Sequence, residues 1–586
     1  MNRQKLDVLN VIKEFSGLNQ REIAERSGHS LGIVNRSIKQ LIEEDYLTDD
    51  MVITGKGTQI FEENRPKNAI ILAAGYGMRM VPINTEVPKG LLEVDGETLV
   101  ERLIKQLHNV GIFEIHIVVG FLKEHYEYLI DEYGVNLITN TKYSEKNNLH
   151  SLKKAVNYIG NTYIVPCDLW CLENPFRKNE LYSWYMVNEL IDEDSTVRVN
   201  RKLELVTTDL GGNSMVGIAY VASKEAAYVK ERLDDLAQDK RFDDAFWEEC
   251  LWDCDKMVVQ ARVVSAQSVV EINTFEQLRE LDEDSSHLRT EVIDIIAEAF
   301  HTSASNIVDI EVLKKGMTNR SFLFKCNDRK YIMRIPGEGT DQLINRKEEA
   351  DVYNAIREKD ICDNIVYINP ENGYKITEYL ENARVCDMND TSDLKQAMRV
   401  LKQFHNLGLQ VEHEFDIFNQ IEFYESLWNE KKSVYRDYVK TKENVMSLQN
   451  YINMHAKQKV LTHIDAVPDN FLFTRNAEGK TIVKLIDWEY AGMQDPHVDI
   501  AMFCIYAMYD REQIDNLIDI YFEGDCSKEI RIKIYAYIAA CGLLWSNWCE
   551  YKRQLGVEFG EYSLKQYRFA KEYYRIVQEE LQKENL

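Results

Sequence analysis

The first residues able to handle phosphate lie at 69–92, AIILAAGYGMRMVPINTEVPKGLL, where an apolar run ends in Ala73, Gly75 and Gly77 and is followed by Arg79 and Lys89. Residues 70–73, apolar and bounded by glycine, have the look of a fully buried strand. A strand that ends in small residues brings its backbone N–H groups close to phosphate oxygens. Arg79 and Lys89 then neutralise charge that amides alone cannot. Position 80 is Met rather than a third glycine, which excludes the dinucleotide fingerprint, and no Gly-Lys-Ser/Thr closes the turn as in a P-loop. Asp168 follows another apolar run, YIVPCDLW, where a carboxylate can reach a phosphate-bound Mg2+.

A second constellation lies far downstream. Asp465 and Asn470 stand five apart in LTHIDAVPDNFLF, and Asp487 follows an apolar run in VKLIDWEYAG. Phosphoryl transfer needs these types together: a carboxylate for the hydroxyl proton, and an amide and a second carboxylate for the metals that bridge ATP phosphates. The D-x-x-x-x-N spacing followed by an Asp after a strand resembles the catalytic loop and metal-binding Asp of protein kinases. Upstream, the turn 316–319 carries Thr318 and Asn319 between two strand-like segments and could fold over ATP phosphates. Arg334 stands on the next strand, where protein kinases place lysine, and Glu349 on the following helix is its expected partner. Residues 376–380, with Glu378, look like a hinge between two lobes.

The elements that must position these groups read as three domains, 1–64, 65–285 and 286–586, as a chain of 586 residues is too long for one core. In the first, Asn19 with Glu22 is a capping box for a helix 20–27. Ser30 caps a second helix to about Glu44 whose apolar face is Leu31, Val34, Ile38, Leu41 and Ile42. Residues 47–53, ending at Gly55 and Gly57, look like a small β-wing, so the module resembles a winged helix-turn-helix. Asn35, Arg36 and Lys39 would then face a DNA groove. Eight Lys/Arg against eleven Asp/Glu over residues 1–63 is a poor balance for phosphate contacts. Dimerisation, giving a homo-oligomer, or a regulatory role is favoured over DNA as a partner. In the second domain, alternating strands (115–119, 163–166) and helices (99–110, around 151–158) imply a mostly parallel, doubly wound α/β sheet with its site at the strand C-termini. The acidic stretch 279–291 has the polarity of a linker to the third domain, an α+β bilobal protein-kinase-like fold.

The net charge of −27 argues against a general polyanion-binding surface. The start of the chain has scattered charges and no apolar run, so no secretory signal is expected. The longest apolar stretch, 534–545, is too short to span a bilayer and reads as a buried helix, so no membrane partner is expected. Eleven scattered cysteines suit reduced thiols in a cytoplasm.

The motif L-A-A-G-x-G-x-R-M, then P-K, an Asp after a strand, and E-I-N-T resembles the sugar-nucleotide pyrophosphorylase superfamily over most of 69–285. With Tyr143 and Asn147-Asn148 before Ser151-Leu152, the segment is most similar to bacterial choline-phosphate cytidylyltransferases. That resemblance implies that Ala73, Gly75, Gly77, Arg79 and Lys89 hold CTP, with Arg79 and Lys89 acting in catalysis, and that Asp168 and Asn273 hold Mg2+. The superfamily more often has Asp where Asn273 stands, so one charge is lost. Trp170, Asp244, Trp247 and Glu271 are the candidates for the phosphocholine headgroup. His463 and the segment 495–499 (DPHVD) resemble the choline and aminoglycoside kinase group. The resemblance implies ATP as donor, Asp465 as base, Asn470 and Asp487 as metal ligands, and a choline box from Trp545, Trp548 and Tyr562, with Trp488 and Tyr490 also at the substrate. Trp545 and Trp548, three apart on one helix, share a face. The expectation is a bifunctional enzyme that makes phosphocholine and then CDP-choline. Three alternatives stay open: the same reactions on ethanolamine or another amino alcohol, a sugar kinase fused to a sugar-1-phosphate nucleotidyltransferase, and a DNA-binding regulator with metabolite-sensing domains.

Overall fold

The computed structural model describes all residues except 16, 314–318, 338–342, 429–431, 477, 555–556, 558 and 585–586. Two compact units emerge, Met1–Glu298 and Ala299–Leu586.

In the first unit, the helices Arg3–Glu14, Gln20–Ser27 and Leu31–Glu43 form a small core around Leu9, Ile23, Val34, Ile38 and Leu41. The capping box forms, with the Asn19 side chain accepting from the N–H groups of Arg21 and Glu22 while Glu22 accepts from the Asn19 N–H. Leu31 departs from the expected apolar face and is exposed. The wing reduces to one bridge between Leu47 and Ile53. Gly55 and Gly57 do not end it; they open the helix Gly55–Glu63, because Thr54 caps that helix by accepting from the Gly57 N–H and Phe61 is buried. The cap and the burial outweigh the low helix propensity of glycine. The first helix docks on the neighbouring α/β fold: Tyr182 Oη donates to Asp7 Oδ1 at 2.8 Å and Leu181 joins the helical core.

That α/β fold is built on a mixed sheet. The strands Asn136–Thr139, Glu114–Val119, Asn68–Ala73 and Thr162–Pro166 pair in parallel in that order, and Gly212–Val221 and Trp184–Asp192 continue the sheet as an antiparallel pair. Asn68–Ala73 is buried along its length. Ala69, Ile71 and Ala73 enter one core, and Ile70, Leu72 and Ala74 the other. A central strand covered on both faces has to be apolar throughout, as this run is. The stretch 279–291, expected to be a linker, is folded onto this unit. Ser285 Oγ donates to the Glu93 carbonyl at 2.8 Å and Asp282 accepts from the Asp95 N–H at 2.9 Å.

The second unit has an antiparallel five-stranded sheet, in the order Val308–Val312, Asn319–Cys326, Arg329–Pro336, Lys375–Glu378, Ile365–Ile368, with the helix Arg346–Ile356. A helical lobe follows, centred on Lys528–Gln554, whose residues 532–552 are all buried. The apolar run 534–545 is therefore the heart of a core helix. Among the described residues no helix is long and apolar enough to cross a membrane.

Candidate active sites

The strand Asn68–Ala73 delivers the chain to Gly77, whose φ of +62° lies in the left-handed region that favours glycine. The reversal launches the short turn Met78–Met80 that carries Arg79. Lys89 opens a second short turn, Lys89–Leu91. These pieces and Asp168, Asp244 and Asn273 line a cavity of about 420 Å³. Inside it the charges are tied to one another. Lys89 Nζ pairs with Asp168 and donates to Asn273 Oδ1 at 2.8 Å, and Arg79 Nη2 donates to that same oxygen at 2.8 Å. The other Asp168 oxygen, Oδ1, is buried and has no hydrogen-bond partner among the described residues. Glu271 sits beside this cluster, and burial together with the Asp168 charge pushes its carboxyl above the usual range.

Two expected headgroup contacts fall elsewhere. Trp170 is 3% exposed, its ring covered by the Arg102 guanidinium at 4.0 Å. Trp247 is 1% exposed and packs against Tyr185. Neither lines the cavity, because a large ring gains more from burial than a sequence pattern reveals. Aromatic lining comes instead from Tyr143 and from Tyr76, which packs on Phe121 with ring centroids 4.2 Å apart. Tyr76 stands between the two glycines; its neighbours were read as a phosphate cradle and its ring was passed over.

The second unit holds a cavity of about 990 Å³, where Arg334, Asp465, Asn470 and Asp487 meet Tyr490, Trp545, Trp548 and Tyr562. Arg334 and Glu349 form a two-pronged pair, Nη1 to Oε1 at 2.6 Å and Nη2 to Oε2 at 2.7 Å. The Glu349 side chain is fully buried. Burial alone would raise its pKa, but the charges of Arg334 and Lys375 hold it at about 2. Lys375, whose Nζ is 3.7 Å from Glu349, and Glu489, 3.6 Å from Arg334, complete the cluster. Sequence reading missed both, although Glu489 lies two residues after Asp487.

Asn470 Nδ2 donates to the Asp465 carbonyl at 2.9 Å and to its carboxylate at 3.1 Å. Burial, then the charges of Asp487 and Glu489, push the Asp465 carboxyl up to about 8. The loop is pinned from behind: Asp499 accepts from the N–H groups of His463 at 2.9 Å and Ile464 at 2.7 Å. Asp487 has φ +64°, a turn that aims its carboxylate back toward Arg334, 3.8 Å away. In the same lining Trp545 and Trp548 lie 5.5 Å apart with planes at 78°, Tyr490 meets Trp545 edge-on at 5.7 Å, and Tyr506 and Phe559 add two rings that sequence reading did not single out.

Trp488 does not line the cavity. It is fully buried, donates from its indole to the Leu485 carbonyl and packs on Phe404 and His463. The Glu378 side chain reaches Arg329 at 3.5 Å, while the neighbouring Thr377 lines the cavity, as strand alternation requires. Thr318 and the side chain of Asn319 lie outside the described residues.

Residues 1–48 match the winged helix-turn-helix DNA-binding family, 69–179 the MobA-like NTP transferase domain and 310–540 the choline/ethanolamine kinase family. A choline-phosphate cytidylyltransferase of Streptococcus pneumoniae is 30% identical over 226 residues, which are 37% of this chain and 96% of that protein. A 2-aminoethylphosphonate cytidylyltransferase of Lancefieldella rimae is 31% identical, over 37% of this chain and 92% of its own length. Protein LicA of Haemophilus influenzae is 27% identical over 42% of this chain and 95% of its own length. The chain belongs to the cytidylyltransferases of the MobA-like nucleotidyltransferase family and joins to that domain, in one polypeptide, a winged helix-turn-helix before it and a choline/ethanolamine kinase domain after it.

Proposed function

We propose that this enzyme makes CDP-choline in two steps, the kinase unit forming phosphocholine from choline and ATP and the central domain converting phosphocholine and CTP to CDP-choline and pyrophosphate. The observation that carries this reading is the ring-lined end of the kinase cavity, where Trp545, Trp548, Tyr490 and Tyr562 open beside Asp465. Aromatic faces attract a quaternary ammonium, which has no N–H to donate, by roughly 0.5–2 kcal/mol each.

In the kinase step Asp465 accepts the choline hydroxyl proton as its oxygen attacks the ATP γ-phosphorus and the bond to the ADP oxygen breaks. Burial and the charges of Asp487 and Glu489 raise the Asp465 carboxyl in the free protein; a cation held by Asp487 would offset that rise and leave the carboxylate ionised to accept the proton. Arg334, fixed by Glu349, faces the ATP phosphates. Asn470 and Asp487 offer the oxygen donors that suit Mg2+. In the transfer step a phosphocholine oxygen attacks the CTP α-phosphorus and pyrophosphate leaves. Lys89 and Arg79 move from Asn273 onto the phosphates. The buried, unpartnered oxygen of Asp168 fits a hard cation, with Asn273 as a neutral second donor. Mg2+ bound at either site would supply charge neutralisation of the phosphates.

One observation favours a second reading for the central domain. Its cavity contains Asp244, with Glu271 beside it, and neither tryptophan, which also suits a primary ammonium. The N-terminal module reads as a regulatory or assembly element: its first helix docks on the transferase, and Asn35, Arg36 and Lys39 remain exposed. Assays of the full chain with ATP and Mg2+ on choline and ethanolamine test the substrate. The expected result is a higher kcat/KM for choline; a higher value for ethanolamine overturns the choice of choline.

A further inference from the structure

The pair Asn147-Asn148 has no part in the chemistry above, yet it stands where two segments that line the central cavity meet. The stretch 143–148 lines one side, and the segment 243–247 contributes Asp244 to the lining. The two are far apart in sequence and joined by a run of bonds. The Asn147 N–H donates to the Asp243 carbonyl at 2.8 Å, and Asn147 Nδ2 donates to the Asp244 carbonyl at 2.9 Å. The Trp247 N–H donates to Asn148 Oδ1 at 2.7 Å, and Lys146 Nζ donates to Asp243 Oδ1 at 2.6 Å. The same Asn147 side chain caps the helix Asn148–Lys154, accepting from the Asn148 N–H at 2.7 Å. One asparagine therefore fixes a helix start with its oxygen and the segment 243–247 with its nitrogen. The backbone of 243–247 has no regular sheet partner to hold it; it forms short turns between Ser223–Gln238 and Trp252–Asp253. The asparagine side chains supply two of the hydrogen bonds that tie it to the stretch 143–148, and backbone bonds from the N–H groups of Asn147 and Leu149 supply two more.

We propose that Asn147 and Asn148 are positioning residues whose side chains hold the segment 243–247, and Asp244 with it, against the stretch 143–148 of the same cavity. The inference rests on reading this cavity as the cytidylyl-transfer site. Neither asparagine needs to touch the reacting atoms. Loss of their bonds lets 243–247 move away and weakens the hold on the phosphate-monoester acceptor, while the glycine loop, Arg79 and Lys89, on other elements, still bind the nucleotide.

The test uses Asn147→Ala, Asn148→Ala and the conservative Asn148→Asp, which keeps an oxygen for the Trp247 N–H and suits the first position of a helix. The expected result is a rise of about tenfold in the KM for phosphocholine for the alanine variants, a KM for CTP within about twofold, and near-normal values for Asn148→Asp. The far-ultraviolet melting transition of the first unit reports on its folding and stays within a few degrees of wild type, and the choline-kinase activity of the second unit is unchanged. Hydrogen exchange supplies a readout that needs no acceptor: amides of 243–247 exchange faster in Asn148→Ala than in wild type, while those of 114–119 do not. Equal rises in both KM values, or unchanged exchange at 243–247, overturn the proposal. A wild-type enzyme that ignores phosphocholine would instead refute the substrate reading, and the exchange comparison would still decide the positioning role.

Discussion

The two cavities solve the handling of phosphate charge in opposite ways. In the kinase unit the central cation is neutralised by its own carboxylate: Arg334 is clamped by Glu349 in a buried pair, so its position is set before ATP arrives. In the transferase the cations rest on the groups that are to share the work, with Lys89 on Asp168 and both Lys89 and Arg79 on Asn273. The first arrangement is preorganised; the second must exchange internal bonds for bonds to substrate. The acceptor ends differ too, one walled by rings and one by Tyr76, Tyr143 and Asp244. One polypeptide therefore holds two charged cavities that share no architecture.

The sharpest way to break this comparison is to remove one function at a time. Asp465→Ala should lower choline phosphorylation by about 10²–10⁴-fold, the usual worth of a general base, and leave cytidylyl transfer from supplied phosphocholine within about twofold. Lys89→Ala should do the reverse, with a loss of about 10²–10³-fold for a missing electrostatic stabiliser. Product analysis by chromatography reads both, and equal loss of the two activities in either variant would show that the sites are not separate.

Next in size is the preorganised pair. Glu349→Ala leaves the buried Arg334 with only the more distant Glu489 and Asp487 and should destabilise the kinase unit, by up to about 3–5 kcal/mol, read from its own transition in urea while that of the first unit holds. Glu349 ionises in the folded state at about 2, against a usual 4.5. Its contribution is therefore complete above about pH 4.5 and lost as pH falls toward 2. Glu349→Gln should flatten that part of the pH–stability curve; an unchanged curve would remove the pair from the account.

Trp545→Ala should raise the KM for choline roughly 2- to 30-fold, which corresponds to the 0.5–2 kcal/mol of one ring face, with the KM for ATP unmoved. Smallest is the transferase metal. Asn273→Asp adds the charge this chain lacks and should lower the Mg2+ concentration for half-maximal transfer a few-fold, with tighter Mn2+ binding in the presence of CTP measured by magnetic resonance. No change would mean that Asn273 serves Lys89 and Arg79 alone.

What could be read in the sequence was what depends on neighbours in the chain. The glycine loop with Arg79, the Asp465/Asn470 spacing, the Asn19 capping box and the Trp545/Trp548 face are all set by short-range periodicity. What escaped depends on tertiary packing. Trp170, Trp247 and Trp488 look like binding rings on paper, and the fold buries each beneath side chains remote in sequence. Lys375 reaches Glu349 only because an antiparallel register sets it opposite Arg334. The stretch 279–291 has the composition of a linker, but Asp282 and Ser285 find backbone partners at Asp95 and Glu93. Its polarity hid the burial of Ser285, Leu288 and Thr290, and nothing local revealed those partners.

The central claim is that one polypeptide supplies its own second step. Incubating it with choline, ATP, CTP and Mg2+ and following the products over time tests this most directly. ADP and phosphocholine should appear first, then CDP-choline with pyrophosphate, and no CDP-choline when ATP is omitted unless phosphocholine is added. Phosphocholine that accumulates without ever becoming CDP-choline, or the absence of both products, would contradict it.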